Sequence, residues 1–441
     1  MKHVKQLLSA LLVLAVVLSL LPAGVLKASA AEAPAALDIG YPTFKNTELL
    51  DEVYDLSKLG VSYSEKDIMM AIYKQDLANG GDSFYMDRIL AREGVCNGNA
   101  GSNGNADGNT FLTRGRALYM YTSSPSVIGF GGNTAYHQPL GRGNLVRVLF
   151  SNADGSLTTK EDTSKRVNAP SNWSSTYSVG SNLTLDVVKF IHQENVAVTT
   201  MTLTNKSAED QAITVAADST FATEPGKVTV NGAEQTELTG TCSSPAGLTT
   251  IYARMTGDGF EAASSDDYCW LSRDVPVTAG GSVELKVVIA FTTEEIPEST
   301  AQYLRFAGLG NLEAVRAQKA EYNLYWAENL PYIDVPKKAV QKAIDYRWWL
   351  ERFNSLDANI PGYDYQYPVT IEGVLGYNNA IILTQPMHLQ DTKWLRSPYL
   401  AYGQLLSAGN SSQSSAFLDN PGNRNNWNNH YGQYLAEAGY E

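Results

Sequence analysis

From about residue 110 to 292 apolar and polar positions alternate with a period of two. The runs LTLDVVKFIH (183–192), NVAVTTMTLTN (195–205), QAITVAADST (211–220), LTTIYARMTG (248–257) and SVELKVVIAFTT (282–293) are rich in Val, Thr and Ile, which suit a pleated, half-buried surface. NKSAED (205–210) and VPVTAGGS (275–282) carry turn chemistry. Many short strands with no helical pattern between them predict a large antiparallel sandwich.

After Pro297 the period becomes helical. Residues 301–330 place Leu312, Val315, Tyr322 and Trp326 near one stripe. In the next helix Asp334 is the expected N-cap, Pro336 lies in the first turn, and Val340, Ile344 and Trp348 recur at four-residue steps. A third helix is predicted over 389–409, bent or restarted at Pro398 and stopped by Gly409, and the tail begins a fourth. The expected organisation is therefore a leader over 1–30, a β-sandwich domain over 31–296, linker helices over 297–335 and a helical domain over 336–441. Three or four helices with Trp-rich faces cannot close a core of their own, so the helical part reads as the beginning of a larger domain.

The leader is a charged start (Lys2, Lys5), an apolar run from Leu7 to Leu21, Pro22, and Ala28-Ser29-Ala30. That is the pattern of a secretory signal peptide, which makes the expected location extracellular and leaves no membrane partner after cleavage. Without those residues 30 basic stand against 46 acidic side chains, a balance that argues against nucleic acid and anionic membranes as partners. Tyr, with 25 copies against 12 of Phe, adds a mild inclination toward neutral sugars, whose C–H faces stack on rings while hydroxyls meet polar edges.

Three cysteines enter an oxidising compartment. Cys242 and Cys269 could pair across a sheet or remain buried thiols, and Cys96 is odd. No Cys or His spacing supports a metal, and no cofactor is expected. In the Gly/Asn-rich loop 96–110, Asn103, Asn105, Asp107 and Gly108 match the first half of a calcium loop, but Arg114 stands where a bidentate Glu is required.

The order sandwich, linking helix, helical hairpins resembles secreted bacterial glycoside hydrolases of the six-hairpin, or (α/α)6-barrel, superfamily. The resemblance is strongest in YRWWLERFNSLDANIPGYDYQYPVTIEGVLGYNN (346–379) and HLQDTKWLRSPYLAYGQ (388–404), and is distantly similar to β-L-arabinobiosidase-type members. It implies an N-terminal β-supersandwich, a linker helix, the start of an incomplete (α/α)6 barrel, and catalysis by two carboxylates on barrel loops. The helical polysaccharide lyases usually run in the opposite order. The leading expectation is a glycosidase acting on plant or microbial glycans; the alternatives are a non-catalytic carbohydrate-binding or adhesion protein and, third, a lyase.

Glycoside cleavage needs a proton donor and a second carboxylate across the sugar. The candidates in the helical region are Glu351, Asp357, Asp364, Glu372 and Asp391. Glu351 reads as a surface partner of its helix, Asp357 and Asp364 as loop caps or turn formers, and Asp391 as a partner of Lys393 or Arg396 that caps the helix that follows. Glu372, in a loop close to Tyr363, Tyr365, Tyr367 and Tyr377, is the catalytic candidate; sugar-hydroxyl binding and a structural role remain open for it. Trp349, Tyr377, Asn378, Asn379, Trp427 and His430 are candidate sugar contacts, rings to stack on and amides to read hydroxyls. Trp348 and Trp349 cannot share one helix direction, so one is expected in the core and the other toward the cleft. The second carboxylate is expected beyond residue 441.

Overall fold

The alternating runs do form strands. The structure, a computed structural model, describes residues 113–124, 127–243, 249–266, 268–329, 336–360, 366–371, 383–411, 417–418, 428–429 and 435–441. The leader, Cys96, the 96–110 loop, Asp334, Asp364, Glu372, Tyr377, Asn378, Asn379, Trp427 and His430 lie outside the described residues.

Two antiparallel sheets face each other. The first contains β1 (Leu118–Ser124), β2 (Gly129–Tyr136), β3 (Gln138–Asn152), β9 (Gln211–Asp218), β14 (Tyr268–Val277) and β13 (Glu261–Ser265) in that order, with the short β4 (Gly155–Ser156) paired to β3. The second runs β10 (Glu224–Val230), β11 (Ala233–Ser243), β12 (Thr250–Gly257), β15 (Ser282–Thr292), β8 (Val196–Asn205), β7 (Leu183–His192), β6 (Trp173–Val179) and β5 (Thr159–Asn168). Leu183, Leu185, Val187, Met201, Leu203, Leu285 and Ile289 meet Phe130, Val146, Val148, Val215 and Leu271 between the sheets.

β8 and β15 are apolar on both faces, and α1 (Pro297–Gly308) and α2 (Asn311–Asn329) explain why. Tyr303, Phe306, Ala307 and Ala314 cover Phe190, Val196, Val198, Val288 and Ala290 on the outer side of the second sheet. The buried stripe of α2 differs from the sequence expectation: Leu312 is exposed, whereas Asn311, Ala314, Gln318 and Trp326 are buried. The polar members take that place because they satisfy backbone carbonyls of β8, of β15 and of the bend before β6. Asn311 Nδ2 donates to Met201 O at 3.0 Å and Leu285 O at 3.2 Å, and Gln318 Nε2 to Ser171 O at 3.0 Å.

The C-terminal helices are α3 (Lys338–Asn354), α4 (Gln385–Thr392), α5 (Tyr399–Ser411) and α6 (Leu435–Tyr440). The N-cap position of α3 is Lys337, and Val340 is exposed rather than buried. The chain restarts as α5 immediately after Pro398, and Gly409 lies inside that helix instead of ending it. Two small ladders lie in the C-terminal part: β16 (Ser355–Leu356) with β17 (Val369–Thr370), and β18 (Phe417–Leu418) with β19 (Asn428–Asn429). Leu356, Val369 and Ile371 pack on Tyr119 and Ala135 of the sandwich, so the segment after α3 is fastened to the first sheet.

Cys242 and Cys269 are free thiols, which decides the disulfide question against a bridge. Glu351, expected on the surface, is 5 % exposed and its Oε1 lies 2.9 Å from His388 Nδ1. Asp391 pairs with Arg347 rather than with Lys393 or Arg396, because α4 packs against α3. Both tryptophans of the 348–349 pair are buried: Trp348 Nε1 donates to Asp391 O at 3.1 Å, while Trp349 stacks on Phe353 with ring centroids 5.1 Å apart.

Candidate active site

Where the sandwich meets the helices a pocket of about 370 Å³ is built from both layers. That volume falls within the range of small-molecule sites. The sandwich contributes the lead-in to β1 (Thr113 to Gly115) and the β7–β8 turn (His192 to Glu194); α2 contributes Glu321, Tyr322 and Tyr325; α3 contributes Trp349 and Arg352; Asp357 follows β16, and Tyr399 opens α5.

The β7–β8 turn is forced into this position. Asn195 sits at φ 61°, a left-handed conformation that Asn tolerates better than most residues, and its N–H donates to His192 O at 3.1 Å. Its side-chain Oδ1 accepts the N–H groups of Ala117 at 2.8 Å and Leu118 at 2.9 Å, tying the head of β1 to the turn. Gly115 is required beside it: a Cβ there would stand 2.6 Å from Asn195 Oδ1. The arrangement carries Glu194, the residue before it, into the pocket.

Arg116 joins the layers. Its Nη1 lies 3.3 Å from Glu194 Oε2 and its Nη2 2.6 Å from Asp357 Oδ2, while Nε donates to Asp357 O at 2.9 Å and Asp357 N donates back to Arg116 O. Burial lowers the guanidinium pKa, but Asp357 and Glu194 outweigh that and leave it raised. Tyr399 donates its phenol to the same Asp357 Oδ2 at 2.7 Å; burial and the neighbouring carboxylate hold that phenol up. Burial also raises the Glu194 carboxyl, partly opposed by Arg116.

A second network braces the turn. Glu194 N donates to His192 Nδ1 at 3.1 Å, so the proton is assigned to Nε2, which lies 2.8 Å from Glu321 Oε2. Glu321 Oε1 pairs with Arg305 at 2.5 Å. Burial would raise the Glu321 carboxyl, but His192 and Arg305 hold it below its ordinary value.

Aromatic rings form one wall. The Arg352 guanidinium sits 3.8 Å from the Tyr325 ring centroid, 4.4 Å from Tyr322 and 5.2 Å from Trp326. Trp349 belongs to the same wall but is 1 % exposed. Of the candidate carboxylates and sugar contacts named from sequence, Asp357 and Trp349 line this pocket among the described residues. Glu194 was missed because it sits in a strand turn of the sandwich, where a single HQEN tetrapeptide carries no signature. Asp357 was among the carboxylate candidates but was read as a loop cap or turn former. Its partnership with Arg116 spans 241 positions and leaves no local trace.

The chain matches no protein-family model. Among solved structures, a human-microbiome protein designated a kojibiose phosphorylase is similar at 9 % identity over 62 % of this chain, with a TM-score of 0.45. The family GH92 inverting mannosidase of Bacteroides thetaiotaomicron is similar at 11 % identity over 64 %, with a TM-score of 0.37. A family GH92 α-mannosidase of the same organism is similar at 9 % identity over 66 %, with a TM-score of 0.29. This chain spans 40 %, 43 % and 44 % of the length of those three structures respectively.

Proposed function

We propose that this protein is an exported, carbohydrate-active protein of the glycoside hydrolase type, and that a neutral glycan binds in the pocket between sandwich and helices. In this reading the helical layer is of the (α/α)6 kind. The observation that carries it is the joint construction of the pocket: carboxylates Glu194 and Asp357 arrive from opposite layers beside a wall of Tyr322, Tyr325 and Trp349. Sugar recognition needs ring faces and charged or amide acceptors together, and hydrolysis needs two carboxylates; both requirements meet here. The lyase reading needs a phenol that gives up its proton, and Tyr399 is held the other way by burial and Asp357. Glu372 remains a proposed sugar-contacting or acidic residue on sequence grounds.

The test is incubation of the full chain with a panel of neutral plant and microbial glycans, reading reducing-end release and calorimetric binding. Release from at least one glycan class is expected, and Glu372→Gln is assayed on the same substrate. Binding without release moves the protein to the non-catalytic class. The absence of both binding and release refutes the proposal.

A further inference from the structure

We infer that the outer face of the first sheet carries a second carbohydrate site, a platform of Tyr268 and Trp270 flanked by Arg147 that takes a neutral sugar ring. The site is separate from the pocket, since none of these three residues lines it, and its binding does not depend on cleavage there.

Strand register sets the groups side by side. Val148, Val215, Ala217 and Leu271 point into the core between the sheets, so the alternate positions Arg147, Asp218 and Trp270 point outward. Arg147 pairs with Asp218 across β3 and β9, and Leu271 pairs with Ala217 across β14 and β9, which sets Trp270 level with Asp218. Tyr268 shares the Trp270 face of β14, and the two rings stack with centroids 5.4 Å apart and planes 26° apart. Leu149, two positions after Arg147 on β3, extends the apolar surface. Tyr268 is 43 % and Leu149 47 % exposed, while Trp270 is half-buried. Exposed apolar surface gathered in this way, rimmed by polar groups, marks a contact site.

The buried Asp218 makes the platform rigid. Arg147 donates Nε to Asp218 Oδ1 at 3.2 Å and Oδ2 at 3.0 Å, and Nη2 to Oδ2 at 2.6 Å and to the Tyr268 hydroxyl at 3.2 Å; the phenol in turn donates to Asp218 Oδ2. An exposed Tyr and Arg ordinarily lose rotamer freedom on binding, and here folding has already removed it. Arg147 Nη1 donates to no described residue, which leaves its N–H groups beside the rings. Ring faces suit the C–H face of a pyranose, and the guanidinium N–H groups suit its hydroxyl oxygens. A wholly apolar partner would instead bury those donors without an acceptor. Charge selects a neutral ligand over an anion: Asp218 matches the Arg147 cation, and Glu261 and Asp274 are exposed on the same outward face.

The experiment is fluorine NMR of the full chain labelled with fluorotryptophan, with the Trp270 resonance assigned through Trp270→Phe. Neutral gluco-, manno- and xylo-oligosaccharides are titrated, with polygalacturonate as the anionic comparison. A saturable shift of the Trp270 resonance is expected with at least one neutral oligosaccharide, and weaker binding with polygalacturonate. Tyr268→Ala is expected to weaken Kd about tenfold and Arg147→Met about fivefold, while Tyr268→Phe, which keeps the ring, stays within about threefold of wild type. Circular dichroism checks each variant, and where one does not fold the wild-type titration decides by itself. A Trp270 resonance that no neutral oligosaccharide moves overturns the inference. Tighter binding of polygalacturonate, or wild-type affinity in a folded Tyr268→Ala, overturns it as well. A shift confined to Trp349 strikes the platform and leaves the pocket reading standing, whereas a shift confined to Trp270 supports the platform and counts against the pocket.

Discussion

Replacing Asn195 with alanine removes the acceptor that organises the head of β1. Two N–H groups, those of Ala117 and Leu118, lose their partner where both residues and Asn195 itself are fully buried. Each orphaned buried donor costs about 1–3 kcal/mol. Alanine must in addition adopt the positive φ of 61°, at about 1–2 kcal/mol. The sum is about 3–8 kcal/mol, with the lower end reached if a water enters the vacated space. Urea unfolding followed by fluorescence and circular dichroism measures it, with coincident transitions as the check on two-state behaviour. Asn195→Gly separates the terms: it removes the backbone strain but not the orphaned donors, so it should recover only about 1–2 kcal/mol. An alanine variant within 0.5 kcal/mol of wild type, roughly the scale of a neutral surface change, would refute the account of the turn.

Lys189 is fully buried inside the sandwich, donating to Gly129 O at 2.7 Å and Val127 O at 2.9 Å, and burial lowers its pKa to about 7. Between that value and the ordinary 10.5 the unfolded chain binds a proton that the native one does not, so stability rises with pH across the window and is flat below it. Measured by denaturant midpoint between pH 7 and 9.5, the rise should disappear in Lys189→Met; an unchanged slope counts against the shift. Gly240→Ala places a Cβ 2.0 Å from the backbone oxygen of Phe221, which no side-chain rotation relieves. It should destabilise by about 1–3 kcal/mol in thermal or urea unfolding, and a silent substitution would show that the β11 backbone yields.

Strand alternation was legible from local sequence because the central strands of the sandwich bury one face against the opposing sheet, and burial selects side chains at every second position. The order of sandwich before helices followed from the same periodicities. Helix details were less legible where tertiary partners overrode local preference. Leu312 points outward while Asn311 and Gln318 are buried, since backbone carbonyls of the strands and of the bend before β6 needed donors at that seam. Glu351 left the surface because α4 brought His388 against it.

The candidate site was the least legible part. A carboxylate becomes a candidate acid or base through what surrounds it, and the surroundings of Glu194 and Asp357 come in large part from Arg116 and Tyr399, on segments far apart in the chain. By itself the sequence determined where strands and helices form, because that rests on periodicities within about ten residues. Only the tertiary structure decided which carboxylates share a pocket and which cation ties them together, because those depend on contacts that close loops of 78 and 241 residues.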